Sequence, residues 1–240
     1  DFWGQPMAAP MPYVTDTIMD FTDSEIGSLR NPRDLFVSDI NNIYIADTGN
    51  NRIIVFNEDW ELIREIKEFE YNEQIDGFNN PKGIFVDQGE TLYVADTDNQ
   101  RIVVFDREGN LFDVIGAPVT EVDGVIPEDF RYRPYKFAVD ISGRMYVLSE
   151  DSYEGILHFD RQGKFRGFMG APNVRFNLWD QFWRLIATEE QLDRMQLRLP
   201  TEYSNIDLDE RGFIYATVTG GLIVNREAVR RLNPSGQDVL

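Results

Sequence analysis

The sequence predicts an all-β chain assembled from repeated four-stranded units. Three observations carry that expectation. A frame of aromatic residue, β-branched residue, Ala-Asp-Thr, polar turn, Arg-Ile and valines occurs twice, as YIADTGNNRIIVF (Tyr44–Phe56) and YVADTDNQRIVVF (Tyr93–Phe105). The frame extends over repeats that begin at Asn31, Asn80 and Arg133, and more loosely over 200–240, with equivalent tyrosines Tyr44, Tyr93, Tyr146 and Tyr215. Within each repeat, short runs of β-branched and aromatic residues alternate with Gly, Asp and Asn, which tolerate the backbone conformations of tight turns.

The second repeat shows the elements most plainly. GIFVD, TLYVAD, RIVVFD and LFDVIG are four candidate strands. Asp39, Asp87, Asp140 and Asp209 are read as closing the first strand of each repeat and serving the turn after it. DREGN and DRQGK place Gly109 and Gly163 where a hairpin needs positive φ. Four antiparallel strands per repeat of roughly 40–50 residues form the blade of a β-propeller.

The motif P-x-x-[IL]-x-V-D…[IL]-Y-[IV]-A-D-T-x-N-x-R-I-x-V-F resembles the NHL repeat. Repeats one and two match it almost position by position. Repeat three keeps Pro134, Val139-Asp140 and Tyr146-Val147, but it has Leu148-Ser149-Glu150 for Ala-Asp-Thr and no arginine at the Arg52/Arg101 position. The resemblance implies an NHL-type propeller, of which four blades are visible in an expected six-bladed ring. Closure by the N-terminal strand, with four or five blades, or by a second copy is the alternative. The order of aromatic arm, blades and the segment NLWDQFWRLIATEEQ is also similar to ectodomains of gut Firmicutes that precede a Yip-type membrane domain. That resemblance implies an exported, membrane-tethered binding module and no known activity.

The expected organisation is one propeller domain over 1–240: an arm at 1–30, three blades at 31–170, a helical insert at 171–199 and an incomplete fourth blade at 200–240. Thr15–Phe21 alternates like a strand and is read as an outer, ring-closing strand. In the insert, Asn177 with Asp180 and Thr188 with Gln191 read as helix N-caps, and Pro200 ends the segment. Trp179 and Trp183 fall on its apolar stripe, either packed on the propeller wall or exposed as a partner-docking surface.

Composition narrows the partners. The net charge of −19 repels nucleic acid and anionic lipid. Zero cysteines exclude disulfides and thiolate chemistry. No apolar run is long enough to span a bilayer, and DFWGQPMAAPMPY is not read as a signal peptide, although a processed N-terminus would look the same. A membrane tether would have to come from other sequence. We expect an extracytoplasmic location, at the cell surface or secreted.

No catalytic residue and no cofactor are expected. The single histidine, His158, aligns with Val104 in a strand, which leaves no histidine set for zinc. Six-bladed lactonase-like propellers hold calcium in the channel, but the acids here recur at strand ends, where they serve turns. No Gly-x-Ser-x-Gly, GxGxxG or Walker pattern occurs. Two site expectations remain. Asp47 with Arg52, and Asp96 with Arg101, are placed to clamp the Ala-Asp-Thr turns. Arg33, Lys82 and Lys136 follow the entry prolines and should gather at one mouth of the channel, with Tyr135 and Tyr203 as stacking groups for an anionic ligand or a glycan. The functional expectation is a non-enzymatic module that binds a protein or glycan ligand. A propeller enzyme with a channel metal, lactonase- or lyase-like, is the alternative.

Overall fold

The computed structural model describes residues 18–19, 21–22, 24–152, 154–170, 202–219 and 228–239. Blade one is β1 (Asp34–Val37), β2 (Ile43–Asp47), β3 (Arg52–Phe56) and β4 (Leu62–Ile66), paired antiparallel in that order. A hairpin follows, β5 (Glu68–Tyr71) and β6 (Gln74–Gly77). Blade two is β7 (Pro81–Val86), β8 (Leu92–Asp96), β9 (Arg101–Phe105) and β10 (Leu111–Ile115). Blade three is β11 (Pro134–Val139), β12 (Met145–Ser149), β13 (Ile156–Phe159) and β14 (Phe165–Met169). Among the described residues, blade four has three strands, β15 (Glu202–Leu208), β16 (Ile214–Thr219) and β17 (Val229–Leu232). The chain is thus an all-β, four-blade propeller arrangement.

Each blade presents its first strand to the next blade: β1 lies beside β7, β7 beside β11, and β11 beside β15. The approach is close. A Cβ at Gly83 would collide with the Tyr135 carbonyl oxygen, so a glycine is needed where blade two meets blade three. The apolar core is divided among the junctions. Tyr44, Ala46, Ile53 and Val55 of blade one meet Ile84 and Val86 of blade two. A second cluster joins blades two and three, and a third joins blades three and four. Burial between successive sheets therefore holds the blades together, as in other repeat architectures where each unit contacts its neighbours.

Segments that lead into the blades carry aromatics onto the third strands. Phe21 stacks on Phe56 at 5.1 Å between ring centroids. Phe69, in β5, and Phe78, just after β6, sit 5.3 and 5.9 Å from Phe105, and Tyr132 sits 6.2 Å from Phe159. One face lacks a neighbour among the described residues. Leu35 and Val37 of β1 are 54% and 51% exposed, whereas Ile84 and Val86, at the same places in β7, are 2% and 4% exposed.

The turns show why the repeat works and where its alignment shifts. Asp87 accepts the Gly89 and Thr91 amides at 2.8 and 2.9 Å. Asp140 and Asp209 do the same for the amides two and four residues on. In blade one this place belongs to Ser38, not Asp39: the Ser38 amide donates to the Asn42 carbonyl as the Asp87 amide donates to that of Thr91. Gly109 and Gly163 have φ of 85° and 70°, as the hairpins require. Of the expected closing strand Thr15–Phe21, the described residues Ile18, Met19 and Phe21 are not in a strand. The expected helical insert, with Trp179 and Trp183, lies outside the described residues.

Candidate functional site

The Ala-Asp-Thr turns of blades one and two share one set of bonds. Asp47 accepts the Arg30 amide at 2.6 Å through one carboxylate oxygen; the other accepts Arg52 Nε at 2.6 Å and the Asn50 amide at 2.8 Å. Asp96 repeats this with the Asn79 amide at 2.7 Å, Arg101 Nε at 2.8 Å and Asn99 at 2.9 Å. Both aspartates are fully buried, a burial that is tolerable only because each carboxylate is paired and hydrogen-bonded. The arginines then reach outward, Arg52 to Glu65 at 2.7 Å and Arg101 to Asp76 at 2.6 Å. Burial works against the Arg101 charge, but Asp76 and Asp96 outweigh it and raise its pKa.

The threonine of the turn spans blades. Thr48 Oγ1 donates to the Pro81 carbonyl at 2.6 Å, and Thr97 Oγ1 donates to the Pro134 carbonyl at 2.7 Å. Each hydroxyl thus ties one blade to the entry of the next. Sequence reasoning missed this role. The available signal was the pairing of each Asp-Thr with the proline that opens the following repeat.

Blade three departs from this set. Ser149 replaces the aspartate and accepts the Arg133 amide at 2.8 Å. Glu150 replaces the threonine and turns back, to Lys82 at 2.5 Å and Arg133 at 3.1 Å. Burial pushes the Glu150 carboxyl up, yet Lys82 and Arg133 prevail and hold it below the usual range. Gly155 precedes Ile156 where Arg52 and Arg101 precede Ile53 and Ile102, so no guanidinium enters this turn.

The bond to the next blade comes from elsewhere. Tyr135 donates its hydroxyl to the Tyr203 carbonyl. Tyr203 lies opposite Val218 in β16, the place that Pro81 and Pro134 hold in their own pairs, opposite Asp96 and Ser149. Its phenol donates to the Gly170 carbonyl at 2.5 Å. A cavity of about 310 Å³ opens at this junction, lined by Tyr135, Ser149, Glu150, Asp151, Gly155 and Tyr203, among others. It opens where the buried Asp-Arg-Thr set of the first two turns is missing.

Of the three cations expected at one mouth of the channel, two are bound into ion pairs. Arg33 is exposed. Lys82 is committed to Glu150, and Lys136 to Asp34 at 2.7 Å across the width of blade two. Asp34 also accepts the Ile84 amide at 2.8 Å, so it links three blades near the axis. The blades differ in register here: Tyr135, not Lys136, occupies the place of Lys82, and Lys136 occupies that of Gly83. Tyr203, only 7% exposed, serves as wall rather than stacking platform. His158 sits in β13 with its ring stacked on Tyr146 at 5.1 Å, and burial lowers its pKa. Among the described residues, no three or more His, Cys, Asp or Glu side chains converge to hold a metal ion. None of the described helices is long and apolar enough to cross a membrane.

Comparison with known proteins adds to this geometry. A family model described as SMP-30/Gluconolactonase/LRE-like region matches residues 35–125, the span of blades one and two. Among solved structures, virginiamycin B lyase from Staphylococcus aureus is similar at TM-score 0.53 and 14% identity, over 87% of this chain and 54% of that one. Hydrazine synthase from Kuenenia stuttgartiensis gives TM-score 0.58 and 12% identity, over 95% and 52%. An extracellular domain from B. thetaiotaomicron gives TM-score 0.51 and 16% identity, over 86% and 23%. The chain thus spans about half the length of the first two and about a quarter of the third. At these identities the likeness is one of fold. No curated protein matches the sequence.

Proposed function

We propose that this chain is a non-enzymatic binding module of the NHL type, displayed outside the cytoplasm. In this reading the cavity between blades three and four is presented to a glycan or to a protein segment rich in hydroxyls. The observation that carries the reading is the replacement of the Asp-Arg-Thr set by Ser149, Glu150 and Gly155 at that junction alone among the three. Two junctions are closed by buried bonds, while the third leaves a walled space on a rigid scaffold, where ligand sites tend to form. Docking through Trp179 and Trp183 is a further proposal of the same class.

The gluconolactonase-like match over 35–125 favours a second reading, a lactone-acting enzyme. That chemistry needs a donor or a cation to polarise the lactone carbonyl. The side-chain hydroxyls and cations around this cavity are already engaged, which favours binding over turnover. One experiment decides between the two. The purified chain is titrated calorimetrically with a panel of neutral oligosaccharides, and assayed for δ-gluconolactone hydrolysis with and without added Ca²⁺ or Zn²⁺. Saturable sugar binding without turnover is expected. Metal-dependent hydrolysis above background would replace the binding reading with the enzymatic one.

A further inference from the structure

The third-junction cavity has an unusual balance of hydrogen-bonding groups. Its side-chain hydroxyls are spent on the protein. Tyr135 donates to the Tyr203 carbonyl, and Tyr203 to the Gly170 carbonyl. Ser149 donates to the Arg131 carbonyl at 3.2 Å, and Ser152 to Glu154 at 2.8 Å. The nearby cations are engaged as well: Lys82 and Arg133 both hold Glu150, and Arg133 also pairs with Asp98 at 2.8 Å and feels the Asp151 charge. Asp151 is different. It lines the cavity, is exposed, and its carboxylate accepts no hydrogen bond from a described residue. Its backbone is held at φ 58°, which fixes where the carboxylate starts from. The described side chains that line the cavity therefore offer the ligand acceptors and a negative charge, with their hydroxyls already donating to the protein.

Such a lining selects by what the ligand must bring. A carboxylate or phosphate would meet Asp151 beside Glu150, with Arg133 already shared among three carboxylates, inside a chain of net charge −19. A ligand rich in donors meets unspent lone pairs. An ammonium group meets Asp151 as a charge-assisted hydrogen bond, the stronger kind. The ring of Tyr135, fixed at its far end by the bond to blade four, gives a flat apolar surface beside that charge.

We propose that the cavity takes an amine-bearing sugar, with its ammonium on Asp151 and its ring against Tyr135. This rests on the glycan-binding reading above and narrows it, because it turns the expected preference for anionic ligands into one for cationic ligands.

The test compares β-1,4-linked dimers of glucosamine, N-acetylglucosamine and glucose by calorimetry at pH 6.5, on the native chain and on Asp151→Asn. Asparagine tolerates the left-handed backbone at this position, so the variant keeps its fold while losing the charge. The glucosamine dimer is expected to bind at least tenfold tighter than the glucose dimer. That preference should fall to within twofold in Asp151→Asn and weaken with added salt. Equal binding of glucosamine and glucose dimers, or an undiminished preference in Asp151→Asn, overturns the amine assignment and leaves the glycan reading standing. Binding of none of the three overturns both.

Discussion

Thr97 donates its hydroxyl to the carbonyl of Pro134 at 2.7 Å, across the junction of blades two and three, with the threonine fully buried. Thr48 and Pro81 repeat the contact one junction earlier. Removal of the donor should strand a carbonyl in an apolar junction. Thr97→Val, nearly isosteric, is expected to lower stability by about 1–3 kcal/mol in urea unfolding, and Thr97→Ser by clearly less. Equal losses for the two would mean that the methyl group, not the hydroxyl, matters there.

The clamp of Asp96 and Arg101 is expected to behave unlike a surface pair. Arg101→Ala leaves a buried carboxylate without its cation and should cost about 3–5 kcal/mol. Arg144 pairs with Asp140 at 2.6 Å but is 38% exposed, and Arg144→Ala should cost below about 1 kcal/mol. Denaturant midpoints of the two variants, measured side by side, check the ranking.

Glu150 should make the junction between blades two and three sensitive to acid. Its folded pKa lies below the ordinary value of 4.5, because Lys82 and Arg133 overcome the opposing effect of burial. A depressed carboxyl stabilises the fold fully above its unfolded pKa, and the contribution fades as pH falls through the folded one. The stability difference between the native chain and Glu150→Gln should therefore be constant near neutral pH and shrink below about pH 4.5. A difference that grows in acid would contradict the ion-pair assignment.

Leu35 and Ile84 hold one position of the repeat in two environments, 54% and 2% exposed. Ile84→Ala should cost about 2–5 kcal/mol. Leu35→Ala should fall within roughly 0.5 kcal/mol of the native chain. Calorimetric melting of the two variants would show a similar shift for both only if the β1 face were covered in solution.

Much of the fold was legible because it rests on local chemistry. Alternating β-branched residues, Gly109 and Gly163 in hairpins, and Asp87 in its turn all act within a few residues of themselves. Asp47 and Asp96 could be linked to Arg52 and Arg101 because each pair lies across one short turn. What escaped acts over distance. Thr48 and Thr97 look like ordinary turn residues until the next blade supplies their acceptors. The β5–β6 hairpin lies outside the repeated frame, yet its Phe69 buries against Phe105. The entry cations were placed by proximity to proline, but bulges between Pro81 and Gly83 and between Pro134 and Lys136 offset the register. The cavity was foreshadowed only by the lost Ala-Asp-Thr of blade three. Its lining depends on Tyr203, which stands in a proline's place that no motif marks.

The Tyr135–Tyr203 bond bears on how the chain comes apart. Blades one to three are coupled at each step by a threonine and a clamped turn, while blade four is coupled by a phenol beside an open space. Amides of β15 to β17 should accordingly exchange with deuterium through an opening that leaves the first three blades protected. In Tyr135→Phe that opening should become more frequent, with exchange in β8 and β9 unchanged. Unfolding would then begin at blade four, and a bound ligand that bridges blades three and four would slow its first step.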